Sequence, residues 1–214
     1  MVPLFDSSTL LTFSLAAAAL VAAPGPGQAL VLTRTFQGGT RAGVWTALGL
    51  EIGTAVHTLA AALGLSAILA TSAAAFGVVK YLGAGYLIFL GTRALRIRGW
   101  NPQDETAPKE PTPTAHLLMQ ATLTGILNPK VAVFFLAFLP QFVDPARGYP
   151  FLQFVLLGFS FAILGFLGDS LVATLAGRAR GRLLGGSLWA RWRERLTGGI
   201  LIGLGIRLAF TSRH

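Results

Sequence analysis

Three charged side chains interrupt long apolar runs: Glu51 in Leu50-Glu51-Ile52, Lys130 in Asn128-Pro129-Lys130-Val131, and Asp169 in Gly168-Asp169-Ser170. Taking such a group out of water is expensive, so each marks a candidate functional site unless a partner neutralises it. Lys130 follows an Asn-Pro pair that ends a helix. There its ammonium can attract a carboxylate, helped by Gln28 and by backbone N–H groups at the start of the next helical segment. Its alternative is a side chain stretched to a membrane interface or neutralised by an acid. Glu51 stands between Gly49 and Gly53, a GxxxG spacing that lets helices approach closely. A carboxyl group there can take up and release a proton, or act as structural partner of Lys130. His57, two turns further on, can relay protons or join two helices by a hydrogen bond. Asp169 is a further proton-coupling candidate, with a salt bridge to the arginines at 178–182 as its alternative. Two backbone features add to these side chains. Pro24-Gly25-Pro26-Gly27 and Asn128-Pro129 both withhold N–H groups inside apolar runs, and the glycines lower the cost of non-helical dihedrals. Six residues, Pro24, Gly25, Pro26, Gly27, Asn128 and Pro129, therefore join Gln28 and Lys130 as candidate substrate-binding positions.

Other chemistry has no foothold. The chain has no cysteine and three scattered histidines, which gives no spacing for a soft metal. It also lacks HExxH, GxSxG and GxxxxGK[ST], so neither a cofactor nor ATP as energy source is expected.

The elements that must position these residues follow from composition. The chain has 214 residues, 53% of them hydrophobic and 12% charged, with mean hydropathy +0.65. A soluble domain carries about 25% charged residues, so the bilayer is the expected solvent. Apolar runs place six transmembrane helices at Leu10–Leu32, Ala42–Leu69, Ser72–Thr92, Leu117–Val143, Phe151–Ala176 and Leu196–Phe210. The net charge of +9 does not point to nucleic acid, because twelve of the seventeen cationic residues fall on alternating connections. These are Arg34 and Arg41; Arg93, Arg96, Arg98 and Lys109; and Arg178, Arg180, Arg182, Arg191, Arg193 and Arg195. Cations in short loops stay cytoplasmic, so both termini are expected to face outward. Trp189, Trp192, Lys80 and Arg207 read as interface anchors. The polar, proline-rich stretch 94–116 reads as a cytoplasmic linker between a first three-helix repeat at 1–93 and a second at 117–214.

A faint internal repeat supports this division. Shifting the sequence by 114 lays Tyr81–Arg93 over Arg195–Arg207 with seven of thirteen positions identical, and a shift of 112 lays His57 over Asp169 and Gly53 over Gly165. Three spans per half make the repeats inverted, and inverted-repeat transporters carry discontinuous helices at corresponding places. The breaks at Pro24–Gly27 and Asn128–Pro129 meet that expectation, each about 16–21 Å into its span and so near mid-membrane. The expected fold is thus an all-α integral membrane protein in which helices 1 and 4 are broken.

The residues resemble those of the lysine-exporter and homoserine/threonine-resistance (LysE/RhtB) family of amino-acid efflux permeases. Pro24-Gly25-Pro26, Gln28 through Gly43, Lys80-Tyr81-Leu82-Gly83-Ala84 and Tyr86-Leu87 carry part of the resemblance. Leu127-Asn128-Pro129-Lys130, Phe134-Phe135 and Phe138-Leu139-Pro140-Gln141-Phe142 carry its most specific part. The resemblance implies a multi-pass protein of the bacterial inner membrane that exports amino acids, uses the proton gradient and self-associates. Its expected partners are an amino acid, protons and the lipid bilayer. Glu51 matches no motif of that family, so its proton role rests on the residue argument alone. The competing readings are an exporter of another small solute or cation with the same architecture, a membrane-embedded enzyme acting on lipid, and a membrane scaffold.

Overall fold

The computed structural model describes residues 3–65 and 112–178, with single helical positions at 78, 81, 85, 88, 89, 92, 202, 203 and 206. Regular structure among these residues is helical, with no strand. Helix α1 (Ser7–Ala22) is rich in Leu and Ala, both strong helix formers. It stops where the steric demand of Pro24 pushes Ala23 into extended backbone at φ −64°, ψ 123°. Helix α2 (Pro26–Ala60) restarts the chain with proline in its first turn, where a missing N–H costs nothing. A π-helical turn at Ala61–Leu65 follows it.

Within α2, Gly39 has φ 79° and ψ −179°, a left-handed φ that glycine adopts without strain. The chain folds back there. A Cβ on Gly27 would meet the methyls of Leu50 at 3.2 Å, and one on Gly43 would meet the side chain of Thr35. In a straight helix residues 27 and 50 would be about 35 Å apart. The arms 26–38 and 40–60 therefore form an antiparallel hairpin.

Helix α3 (Thr114–Ile126) ends before Asn128, which is extended because Pro129 follows it. Asn128 then caps α4 (Pro129–Val133), its Oδ1 accepting from the Lys130 N–H at 3.1 Å. The run continues as a π-helical turn (Phe134–Phe138) and a 3-10 turn (Leu139–Phe142), bent by 45° from α3. Helix α5 (Pro150–Arg178) follows a short loop held by Gln153, whose amide donates to the carbonyls of Asp144 and Gly148, each at 2.8 Å.

Small residues set the packing. On α5, Gly158 lies against Thr58, Gly165 against Glu51 and Gly177 against Thr40, so the second arm of α2 runs antiparallel to α5. On α3, Ala121 meets Gly49 and Gly125 meets Gly53, so that same arm runs parallel to α3. A Cβ on Gly53 would stand 2.8 Å from the Gly125 Cα, and the Thr122 hydroxyl donates to the Gly49 carbonyl at 3.0 Å. The GxxxG of Gly49 and Gly53 is thus a backbone-to-backbone crossing. At one end of α5, Arg147 bridges Asp6 and Asp144; at the other, Thr40 contacts Gly177. The segment from Asp6 to Thr40 therefore runs the length of α5, with its break between.

Two apolar clusters fill the interior. The larger gathers Phe13, Phe134, Phe135, Phe138, Phe154 and Phe161 with Leu20 and Leu157; the smaller consists of Val31, Ala47, Leu50, Ala121 and Ala173. The exposed face of α5 carries Leu152, Leu156, Phe159, Ile163, Leu167, Leu171 and Leu175 at helical spacing. Such a stripe suits hydrocarbon rather than water. By length and composition Pro150–Arg178 can cross a membrane, and the bent pair α3 with Pro129–Phe142 makes another candidate; Pro26–Gly64 is long and apolar enough as well, but it is folded back at Gly39.

The structure sharpens two boundaries. Helix runs on through Gly38 rather than ending at Leu32, because one glycine suffices for the turn, and Arg34 lies within the helix. Helix α3 begins at Thr114, inside the stretch 94–116 expected as a linker. The spans expected at Ser72–Thr92 and Leu196–Phe210, the repeat pairing of Tyr81–Arg93, and Lys80, Arg207, Trp189 and Trp192 lie outside the continuously described residues.

Candidate functional site

The two helix breaks face each other across a cavity of about 40 Å³. Leu20, Val131 and Phe161 separate it from the aromatic cluster, and Leu50 closes it toward the smaller one. Its polar wall is Gln28, Glu51, Thr54, Asn128, Lys130 and Asp169. A buried water needs about 10–15 Å³ by this measure, so there is room for about three waters or one small head group.

Each polar residue is placed by a local feature. Gln28 follows the Pro-Gly-Pro-Gly break in the first turn of α2 and is 6% exposed. Glu51 projects from the second arm of α2 onto Gly165. A Cβ at Gly165 would stand 2.8 Å from its carboxyl carbon and closer still to Oε1. Asp169 lies one turn further along α5, 8% exposed. Glu51 is within electrostatic reach of both Asp169 and Lys130.

Lys130 bridges the breaks. Its Nζ donates to the carbonyls of Leu20 at 3.0 Å and Ala23 at 2.8 Å, the last acceptors of α1. A cation at a helix C-terminus satisfies orphan carbonyls and opposes the helix dipole. The cation expected from sequence to draw a carboxylate is thus directed at the end of a broken helix. The other break has a matching contact: His57 Nε2 lies 3.0 Å from the Ile126 carbonyl near the end of α3. A carbonyl oxygen only accepts, so Nε2 carries the proton in that contact. The His57 ring also lies 6.0 Å from the ring of Phe135.

Of the residues singled out in the sequence, Gly27, Gln28, Glu51, Asn128, Lys130 and Asp169 come together on the cavity wall. Pro24, Gly25, Pro26 and Pro129 shape the breaks without lining it. Gly25 sits beside Lys130, where a Cβ would lie 3.5 Å from Nζ. His57 stands outside the lining. Among the described residues no group of three His, Asp or Glu side chains is placed to hold a metal ion.

Two features escaped the sequence reading. One is Gly165 as the seat of Glu51; its only signal is the match to Gly53 at a shift of 112. The other is a polar cluster at the Gly39 end, where Arg34 donates to Gln120 Oε1, to Gln37 Oε1 at 2.9 Å and to Thr112 Oγ1 at 3.4 Å. In the sequence Arg34 speaks only as an orientation signal.

Residues 18–212 match the family described as LysE type translocator. An uncharacterized membrane protein of Vibrio cholerae is 34% identical over 95% of this chain and 98% of its own length. Another, of Pseudomonas aeruginosa, is 32% identical over 92% of this chain and 93% of its own. The uncharacterized membrane protein YrhP of Bacillus subtilis is 31% identical over 93% and 97%. No solved structure matches the chain.

Proposed function

The chain belongs to the LysE type translocator family, and on that premise we propose that it is a secondary active exporter of amino acids or close derivatives, coupled to proton entry across the bacterial inner membrane. The observation that carries this reading is the meeting of two broken helices at one cavity walled by Glu51, Asp169 and Gln28. Irregular backbone at membrane depth is tolerated where it is buried or lines a cavity, and transporters place substrate sites at such breaks. Six spans in two inverted halves, with both termini outward, complete the proposed architecture; self-association is part of the proposal.

In this scheme Pro24 to Gly27 and Asn128-Pro129 keep the helices open, and Lys130 fixes the free end of α1. Glu51 or Asp169 exchanges a proton for substrate as the halves move. The cavity of about 40 Å³ has room for a few waters, so in this scheme transport requires the site to widen.

Counterflow of an amino-acid panel into proteoliposomes under two pH gradients tests substrate and coupling together. The expected outcome is uptake of a subset of amino acids that responds to the gradient, with coupling lost in Glu51→Gln or Asp169→Asn. Coupled transport that survives both substitutions combined refutes the proton assignment.

A further inference from the structure

Helix α1 is held at both ends by cations from the second half of the chain. At its C-terminal end Lys130 Nζ donates to the carbonyls of Leu20 and Ala23, both fully buried. At its N-terminal end Arg147 donates to the carboxylates of Asp6 and Asp144 and, at 3.0 Å, to the carbonyl of Pro3. The two holds differ in kind. The Arg147–Asp6 pair lies at the surface, with 53% of the Asp6 side chain exposed, and an exposed pair shifts a two-state equilibrium only about two- to fivefold. That end of α1 can come free while the buried end stays bound. Arg147 itself stands on a fixed base: the buried Gln153 side chain accepts from the Asp144 N–H and donates to the carbonyls of Asp144 and Gly148.

The way from the Arg147 end to the cavity is filled with the help of α1. Along α5, Phe154, Leu157 and Phe161 lie between Pro150, next to the Arg147 loop, and Gly165 on the cavity wall. They belong to the aromatic cluster, to which α1 adds Phe13, Ala16, Ala17 and Leu20. The Phe13 ring meets those of Phe142 at 5.3 Å and Phe134 at 6.2 Å. On its other face α1 exposes Leu10, Leu11 and Leu15, so it covers the cluster as a single layer. Its joint to α2 is the first break. There Pro24 and Pro26 have no N–H to give; bonding in α1 ends with the Ala23 N–H on the Leu20 carbonyl and resumes with the Ala29 N–H on the Gly25 carbonyl. A joint of a few such residues can turn without breaking helix bonds.

We propose that α1 is the gate between the cavity and the Arg147 end of the molecule. It turns at Pro24–Gly27 with the Lys130 bonds as pivot, and the Arg147–Asp6 pair is the catch that keeps it shut. Release of the catch draws Phe13 out of the aromatic cluster and leaves a path to the cavity; with both termini outward, that path opens away from the cytoplasm. The gate rests on the transporter reading above and adds to it which element moves and what holds it.

The chain has no cysteine, so Thr54→Cys on the cavity wall makes a single reporter. Right-side-out and inverted membrane vesicles carrying the full-length protein are treated with the membrane-impermeant sulfonatoethyl methanethiosulfonate, and modification is followed by mass. Tyr149→Cys, at a position 76% exposed near Arg147, shows which vesicle face carries that end. From that face, Arg147→Gln and Asp6→Asn are each expected to raise the labelling rate of Thr54→Cys about two- to fivefold, and Arg147→Lys should recover part of the change. Either of the first two suffices if the other does not fold. Arg34→Gln removes polar bonds at the opposite end of the molecule and is expected to leave labelling from that face unchanged. Unchanged labelling in Arg147→Gln and Asp6→Asn, or an equal rise in Arg34→Gln, overturns the gate. Counterflow separates the two readings. If labelling responds as expected but no amino acid is carried, the exporter reading fails and the gate stands. If amino acids are carried and labelling responds to neither substitution, the gate fails and the exporter reading stands.

Discussion

Replacing Gly165 with alanine probes the seat of Glu51 directly. The added Cβ would stand 2.8 Å from the Glu51 carboxyl carbon and 3.0 Å from Oε2, and nearer still to Oε1. Carbon atoms in ordinary contact keep about 3.5–4.0 Å, so the carboxyl must retreat by about 0.7–1.2 Å. A displacement of about 1 Å in a positioned group can cost about a hundredfold in rate, so coupled transport is expected to fall between tenfold and that figure. Stability is expected to fall by at most about 2.5 kcal/mol. Overpacking costs about 1–3 kcal/mol, and alanine in place of a mid-helix glycine returns about 0.5–1 kcal/mol. Gly168→Ala is the matched control: its Cβ would stand 2.6 Å from a methyl of Val21, a similar overlap on the same helix that does not touch Glu51. The assay is proteoliposome counterflow alongside thermal unfolding for both variants. Shortening the side chain, as Glu51→Asp in the Gly165→Ala background, should restore part of the loss. Equal transport losses in the two glycine variants at similar midpoints, or full activity in Gly165→Ala, would refute the seat.

Two further substitutions test the frame around the site. Lys130→Met removes the donor to the Leu20 and Ala23 carbonyls; Leu20 keeps the Ala23 N–H at 3.1 Å, so about 1–3 kcal/mol for the Ala23 acceptor left unmet and a drop in thermal midpoint are expected, and Lys130→Gln should recover part of it. Phe161→Ala deletes the ring stacked at 4.6 Å on Phe134 and in edge contact at 5.6 Å with Phe135. It should cost about 3–5 kcal/mol, and a midpoint shift under a few degrees would show the aromatic cluster to be loosely packed.

What the sequence made legible was covalent and local. Pro24 and Pro129 cannot donate to a helix and force the preceding residue extended, so both breaks could be placed from residue identity alone. The close crossing at Gly49 and Gly53 was equally readable, since only glycine lets two backbones touch. The contacts between breaks were not. Lys130 reaching the carbonyl of Leu20 joins residues 110 positions apart, and nothing in either segment encodes that pairing. The acid on Gly165 was hidden for the same reason: a glycine's role as a seat depends on which side chain faces it. The turn at Gly39 sat between two, because Gly38 next to it offered the same freedom and only packing selected the residue with positive φ.

The two caps have a common logic. Lys130, from the second half of the chain, closes the carbonyl end of α1; His57, from the first half, meets the carbonyl end of α3. Each half therefore supplies the N–H donor that the other half's broken helix lacks. An isolated half would leave an orphan acceptor at membrane depth, so the two halves depend on one another for polar satisfaction as well as for apolar contact. Any movement of one half against the other must stretch these bonds, at a cost of about 1–3 kcal/mol for each carbonyl exposed without a donor. Such movement is easiest when water or a ligand brings N–H or O–H groups to the same place. The cavity lies between the breaks, with Leu20 and Lys130 on its wall, so whatever enters it arrives beside the bond that holds the end of α1.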